Sequence, residues 1–250
     1  MTAQMLAAVL AAVAVGTVLQ RVSGTGVGLV VAPTLAVLLG PVQGILATNI
    51  ITSMSGALIT LYVWKYVDWR RYAMLAPAAV IGAVPGALVV RAVPAAWLQI
   101  SIGALVLLTL AITYLVRTLP HLEGPAATGL AGTAGGFFNT TAGIAAPAMV
   151  VYALVSRWDQ RAFAATMNPV FMTMGLVSFL VKVAFGATGP EGLPPWWTLL
   201  AVTATVLVAT FGGGLVARRV SPGLGRALAL SLAAAGALVA IIRGALALIG

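Results

Sequence analysis

No cysteine occurs in the 250 residues, which excludes a disulfide framework, a thiolate metal site and a catalytic thiol. Charge is almost as scarce. Only 7% of residues are charged, with four acids, thirteen bases and a single histidine. A soluble domain carries about 25% charged residues, so this composition cannot cover a water-facing surface. Apolar residues make up 62% of the chain, and the mean hydropathy is +1.12. Together with long charge-free runs, these values define an all-α polytopic membrane protein. The net charge of +9 does not indicate a nucleic-acid partner, because the bases are spread singly between apolar runs. Residues 1–20 lack a positive n-region and no soluble domain follows, so they are expected to stay as a membrane element.

Charged residues cut the chain into apolar blocks at 1–20, 22–64, 72–90, 92–116, 124–156, 162–181, 192–217 and 227–242. One crossing of the hydrocarbon takes about 20 residues. Most blocks therefore hold one span, but 22–64 and 124–156 are too long for that. Both contain Gly-rich clusters, Ser23-Gly24-Thr25-Gly26-Val27-Gly28 and Gly132 through Gly143. Glycine costs a helix about 1 kcal/mol per position relative to alanine, so each cluster predicts a break. The expected plan is two broken-helix hairpins, 3–20 with 28–40 and 126–138 with 143–156. Spans 42–64, 70–91 and 95–117 follow the first, and 160–183, 196–219 and 224–248 the second, giving 8–10 membrane segments.

The halves echo each other. Val27-Gly28 through Pro33 resembles Ala142-Gly143 through Pro147, Ala47-Thr48-Asn49 resembles Ala165-Thr166-Met167-Asn168, and Ala87 through Val93 resembles Gly214 through Val220. The order is the same each time, which divides the chain into repeats 1–120 and 121–250. Loop charge then sets orientation. Lys65, Arg70, Arg71, Arg117, Arg157, Arg161, Arg218, Arg219 and Arg226 place their loops in the cytoplasm, with Gly40-Pro41 and 186–195 outside. Equivalent loops fall on opposite faces, so the repeats are expected to be inverted in topology, an architecture of secondary transporters. Trp64, Tyr66, Trp69, Trp158, Trp196, Trp197, Arg91, Lys182 and Arg243 are expected to anchor the membrane interfaces.

Enzymatic chemistry finds no support. His121 lies in a loop beside Pro120 and Glu123, and Asp68, Glu123, Asp159 and Glu191 all fall in loops. No carboxylate dyad or intramembrane proton relay can be assembled from them. Gly24-Thr25-Gly26-Val27-Gly28 is no dinucleotide fingerprint, since no βαβ unit surrounds it. No cofactor and no metal is expected. The two breaks remain as candidate chemistry. A helix that restarts inside a bilayer presents free N–H groups and the positive end of its dipole. Ser23, Gly24, Thr25, Gly26, Gly28, Asn139, Thr140, Thr141 and Gly143 would form such a site, with Asn49 and Asn168 lower in the same cavity. Thr48 and Thr166 form a second tier, alongside Arg21. Each has an alternative reading: close helix packing for the glycines, interhelical bonds for the Asn and Thr side chains, and snorkelling for Arg21. Gly82-x-x-x-Gly86 and Gly212-Gly213-Gly214 are assigned to packing, and Pro169 is expected to kink its span and free a carbonyl.

Gly24-x-Gly26-x-Gly28 followed by Ala32-Pro33, the Ala47-Thr48-Asn49 element and the second copy ending Gly143-x-x-x-Pro147 resemble the TauE/SafE family of membrane permeases, over residues 8–245. The resemblance implies transport of sulfur-containing anions such as sulfite, sulfoacetate and other organosulfonates. The second copy departs from the pattern, with Asn139-Thr140-Thr141-Ala142 where the first is glycine-rich, so its cavity is expected to be the more polar. The resulting expectation is a multi-pass secondary transporter of a small anion, in the inner (plasma) membrane of a bacterium, working by alternating access. A coupling proton or ion and a homo-oligomeric state are left open. The rivals are a channel on the same scaffold and a membrane assembly subunit without substrate.

Overall fold

The computed structural model describes the backbone of residues 3–23, 27–116, 119–190, 192–193, 196–217 and 221–249. Ten α-helices run in chain order: α1 (Ala3–Ser23), α2 (Gly28–Leu39), α3 (Pro41–Val63), α4 (Trp69–Ala92), α5 (Ala95–Leu115), α6 (Pro125–Ala142), α7 (Ala146–Val155), α8 (Gln160–Ala184), α9 (Trp196–Ala217) and α10 (Pro222–Ile249). There are no strands among the described residues, and six of these helices are long and apolar enough to cross a membrane. They are α3, α4, α5, α8, α9 and α10, three in each half. Large apolar side chains such as Leu61, Leu130, Val208 and Phe211 point outward, as a lipid-facing surface requires.

Local chemistry sets the ends. Pro41, Pro125 and Pro147 stand in the first turns of α3, α6 and α7, where a missing N–H costs nothing. Asp68 and Asp159 cap α4 and α8 by accepting from the Arg71 and Ala162 N–H groups. The expected end of α6 at residue 138 is corrected to Ala142. Thr140 and Thr141 donate to the Gly136 and Phe137 carbonyls one turn back, so their hydroxyls are satisfied inside the helix. The break falls at Gly143, whose φ of +73° suits a glycine and whose N–H caps Asn139 O.

Both hairpins are present, and they enter from opposite ends of the bundle. At one end, Leu122 N–H bonds Val155 O, Thr128 Oγ1 meets Tyr152 OH at 2.7 Å, and Thr166 Oγ1 accepts from Asp68 N–H. The start of α6, the end of α7, the start of α8 and the end of α3 therefore share this basic end. At the other end, Gln43 Nε2 donates to the Thr188 and Gly192 carbonyls, and Arg91 Nη1 to Phe185 O. There the end of α2 turns directly into α3. Ten residues carry α7 ~15 Å and twelve carry α2 ~18 Å, so each returning arm covers about half of a ~30 Å hydrocarbon core.

Partners are exchanged between the halves. α4 packs on α6 as α9 packs on α1, α2 on α10 as α7 on α5, and α3 crosses α8 while α5 lies along α10. Gly82 and Gly86 bring α4 against the backbone of α6 at Thr133 and Phe137, as expected of packing glycines. Gly212 and Gly214 face open space instead, so the packing role expected of these two is corrected, while Gly213 between them is buried. Trp64, Tyr66, Trp196 and Trp197, expected as interface anchors, are exposed. Trp158 is instead wedged between Tyr152 and Phe163, with the Arg71 guanidinium 4.5 Å above its ring.

Candidate functional site

The two breaks meet. A Cβ on Gly28 would lie 2.7 Å from Gly143 O, and one on Gly143 would touch Ala32 and Thr48. Side by side, the first turns of α2 and α7 face a small chamber of about 20 Å³ lined by Gly28, Leu29, Thr52, Asn139, Ile144 and Phe171. Neither helix has a side-chain cap at its N-terminus, so its first N–H groups lack intrahelical partners and carry the positive end of the dipole. The chamber's volume is room for one water.

A polar knot closes one wall. Asn139 Nδ2 donates to Asn49 Oδ1 at 3.3 Å and to Ser178 Oγ at 3.0 Å. Ser178 meets Thr140 Oγ1 at 2.7 Å, and Thr140 donates its own proton to Gly136 O. The Ser178 hydroxyl must therefore donate to Thr140, giving a directed chain from Asn139 through Ser178 and Thr140 to the α6 backbone. All four side chains are buried, at 3% exposure or less. Asn49 Nδ2 alone in this knot has no acceptor among the described residues.

A wider vestibule of about 360 Å³ opens at the basic end, lined by Gln20, Tyr66, Arg161, Asn168 and Phe171. Arg161 sits at its mouth with the guanidinium 4.0 Å over the Tyr66 ring. Phe171 belongs to both spaces, so its ring is the partition between vestibule and tip chamber.

A family model described as Sulfite exporter TauE/SafE matches residues 8–239. The chain belongs to that family. No match was found among curated proteins or among solved structures. TauE/SafE is a transporter family and not an enzyme family, and the six apolar helices make this member a multi-pass membrane protein.

Gly28, Asn139 and Gly143 come together at the chamber, with Asn49 and Thr140 behind them. Thr48 reaches the tips with its methyl group, because its hydroxyl donates to Gly44 O. Thr141 bonds Phe137 O and lines an apolar groove beside α4 and α5, away from the chamber. Asn168 lines the vestibule, and its amide donates to Ala164 O and to Ala165 O, the carbonyl that Pro169 frees. Thr166 is further still: it accepts from Asp68 N–H and donates to Ala162 O at the basic end. Gly24, Thr25 and Gly26, and the side chains of Arg21 and Ser23, lie outside the described residues.

Three residues went unnoticed in the sequence. Thr52 and Ser178 look like ordinary small polar residues on long helices, but Thr52 lies one turn beyond Thr48 and Ser178 sits opposite Asn139. Phe171 carries no polar signal at all. Lys182, read as an interface anchor, is 0% exposed, and its Nζ has no partner among the described residues.

Proposed function

We propose that this protein moves a small sulfur oxyanion, such as sulfite or an organosulfonate, across the bacterial inner membrane by alternating access. Residues 1–120 and 121–250 act as inverted repeats, and the chamber between their hairpin tips is the binding site. The observation that carries this reading is the contact of Gly28 with Gly143 O between two short helices that enter from opposite ends of the bundle. Two dipole ends aimed at one point stabilise a negative charge without a large desolvation penalty for a fixed countercharge. The exchange of helix partners between halves favours a two-state rocking motion, since each half contacts the other through equivalent surfaces.

The basic end faces the cytoplasm in this reading. The vestibule leads in from that side past Arg161, and Phe171 separates it from the contracted chamber. A chamber of about 20 Å³ among the described residues is too small for a sulfur oxyanion, so binding requires the tips to part, which favours a carrier over a channel.

Reconstitution tests the proposal. Proteoliposomes should take up radiolabelled sulfite, sulfoacetate or both with saturation and counterflow, with and without a pH gradient. Unsaturating, voltage-driven current would make it a channel, and no flux of these anions or of sulfate would remove the substrate class. The topology has a separate test in this naturally cysteine-free chain. G40C and Q160C, in the turns that follow the two hairpins and both open to a reagent, should react with an impermeant thiol reagent from opposite sides. Labelling from one side would refute inversion.

A further inference from the structure

We infer that Lys182 is the cationic half of the anion site, and that the site takes an oxyanion whose oxygens only accept hydrogen bonds. This rests on the transport reading above and goes beyond it by assigning a fixed charge and a ligand chemistry. Lys182 lies in the last turn of α8, inside a membrane-spanning helix, and is completely buried. Ionisable groups at such depth are costly unless paired, and mark substrate or ion paths. Asp68 and Glu123 are engaged with Arg71 at the opposite, basic end, where Asp159 caps α8; Glu191 lies outside the described residues.

Its position points to the knot. Ser178 is one turn before Lys182, and Gly175, two turns before, lies on the same face. A Cβ on Gly175 would touch Asn49 O, while Ser178 bonds Asn139. Helical Cα–Cβ bonds tilt toward the helix N-terminus, a direction that leads from Lys182 to the turn holding Ser178. Two buried donors on this side of the bundle then lack acceptors: Asn49 Nδ2 and Lys182 Nζ. An amide nitrogen and an ammonium carry donors and no acceptor. Within the knot the other protons are already used, since Asn139 serves Asn49 and Ser178, and Thr140 serves Gly136. Both surplus groups are donors, and an anion beside Lys182 would hold it in its charged form. A sulfite or sulfonate group is their complement, with several acceptor oxygens and a negative charge. A neutral alcohol or amide would leave the ammonium uncompensated.

The test reads melting temperature of the purified protein, and its shift with sulfite, beside flux. Replacing a buried, unpaired charge by an apolar isostere often leaves a fold neutral or more stable. K182M should therefore melt no lower than wild type in the absence of anion, while its sulfite affinity falls ~10- to 100-fold, the range of a lost charge-assisted hydrogen bond. K182R should bind sulfite more tightly than K182M. N49D supplies an internal carboxylate: it should raise the melting temperature without ligand and abolish the sulfite-induced shift. E191Q should behave as wild type. K182M within threefold of wild-type affinity, or N49D melting below wild type, would overturn the assignment, and N49D decides it even if K182M does not fold. An E191Q protein that loses the shift would make Lys182 an ion-pair partner of Glu191 instead. A wild-type protein that neither shifts nor transports sulfite, sulfoacetate or sulfate would sink the transport reading itself, a different result from a wild type that responds and a K182M that responds equally.

Discussion

Asn49 and Asn168 hold corresponding places in the two halves, each eight residues into the helix that follows a hairpin, yet they have different work. Asn49 is fully buried, accepts from Asn139 across three helices' junction and keeps a free donor beside the tip chamber. Asn168 gives its amide protons to Ala164 O and Ala165 O in its own helix. The cause is the next residue. Pro169 has no N–H for Ala165 O, and the neighbouring amide takes its place. The lesson is that a polar residue stays available to a ligand only while its own backbone makes no claim on it. The spaces beside them differ in size, with a vestibule of about 360 Å³ at Asn168 and a chamber of about 20 Å³ near Asn49.

That contrast can be broken at four points. The largest effect is expected from G28V, which places side-chain atoms where Gly143 O lies within 2.7 Å of the Cβ position. Forcing the tips apart should lower flux ~100-fold or more, the size of effect that a misplacement of about 1 Å has on positioned groups; near-normal sulfite flux in G28V would separate the tips from the site. Next comes the asparagine pair itself. N49A leaves Asn139 Nδ2 with Ser178 Oγ as its remaining acceptor and should lose about 1 kcal/mol of stability together with sulfite affinity. N168A should cost about 1 kcal/mol in a denaturant or thermal titration and leave affinity within a few-fold. Equal affinity losses in the two variants would erase the distinction. F171A removes the partition, so a thiol in T52C should react several-fold faster with an impermeant reagent from the basic side when Phe171 is absent; an unchanged rate would place the barrier elsewhere. The smallest effect is G129A. This glycine lies inside α6 with open space around it, so alanine should add about 0.5–1 kcal/mol and leave flux untouched.

Much of the plan was legible because it depends on short stretches of chain. The two glycine-rich blocks marked the hairpins, the runs between charges marked the six spans, and most helix ends fell within a few residues of expectation. The one sizeable boundary error, at Asn139–Ala142, came from reading the whole glycine-rich cluster as broken backbone, when the helix runs on to Ala142 and only Gly143 turns left-handed. The Thr140 and Thr141 hydroxyls are satisfied by carbonyls of their own helix, so they do not force it to end. The site was legible only in part. Gly28, Gly143, Asn49 and Asn139 were found because polar or flexible residues are conspicuous in so apolar a chain, whereas Thr141 and Thr166 were equally conspicuous and face elsewhere.

Composition and local pattern determined by themselves that this chain is an all-helical membrane protein with two interrupted hairpins, since burying backbone in lipid admits few other solutions. Only the tertiary structure decided which polar groups are free to meet a ligand. That choice turns on helix rotation and on depth: Ser178 and Lys182 lie one turn apart on α8, and it is the packing of α3, α4 and α6 against that face that buries a lysine the sequence would have left at the membrane surface.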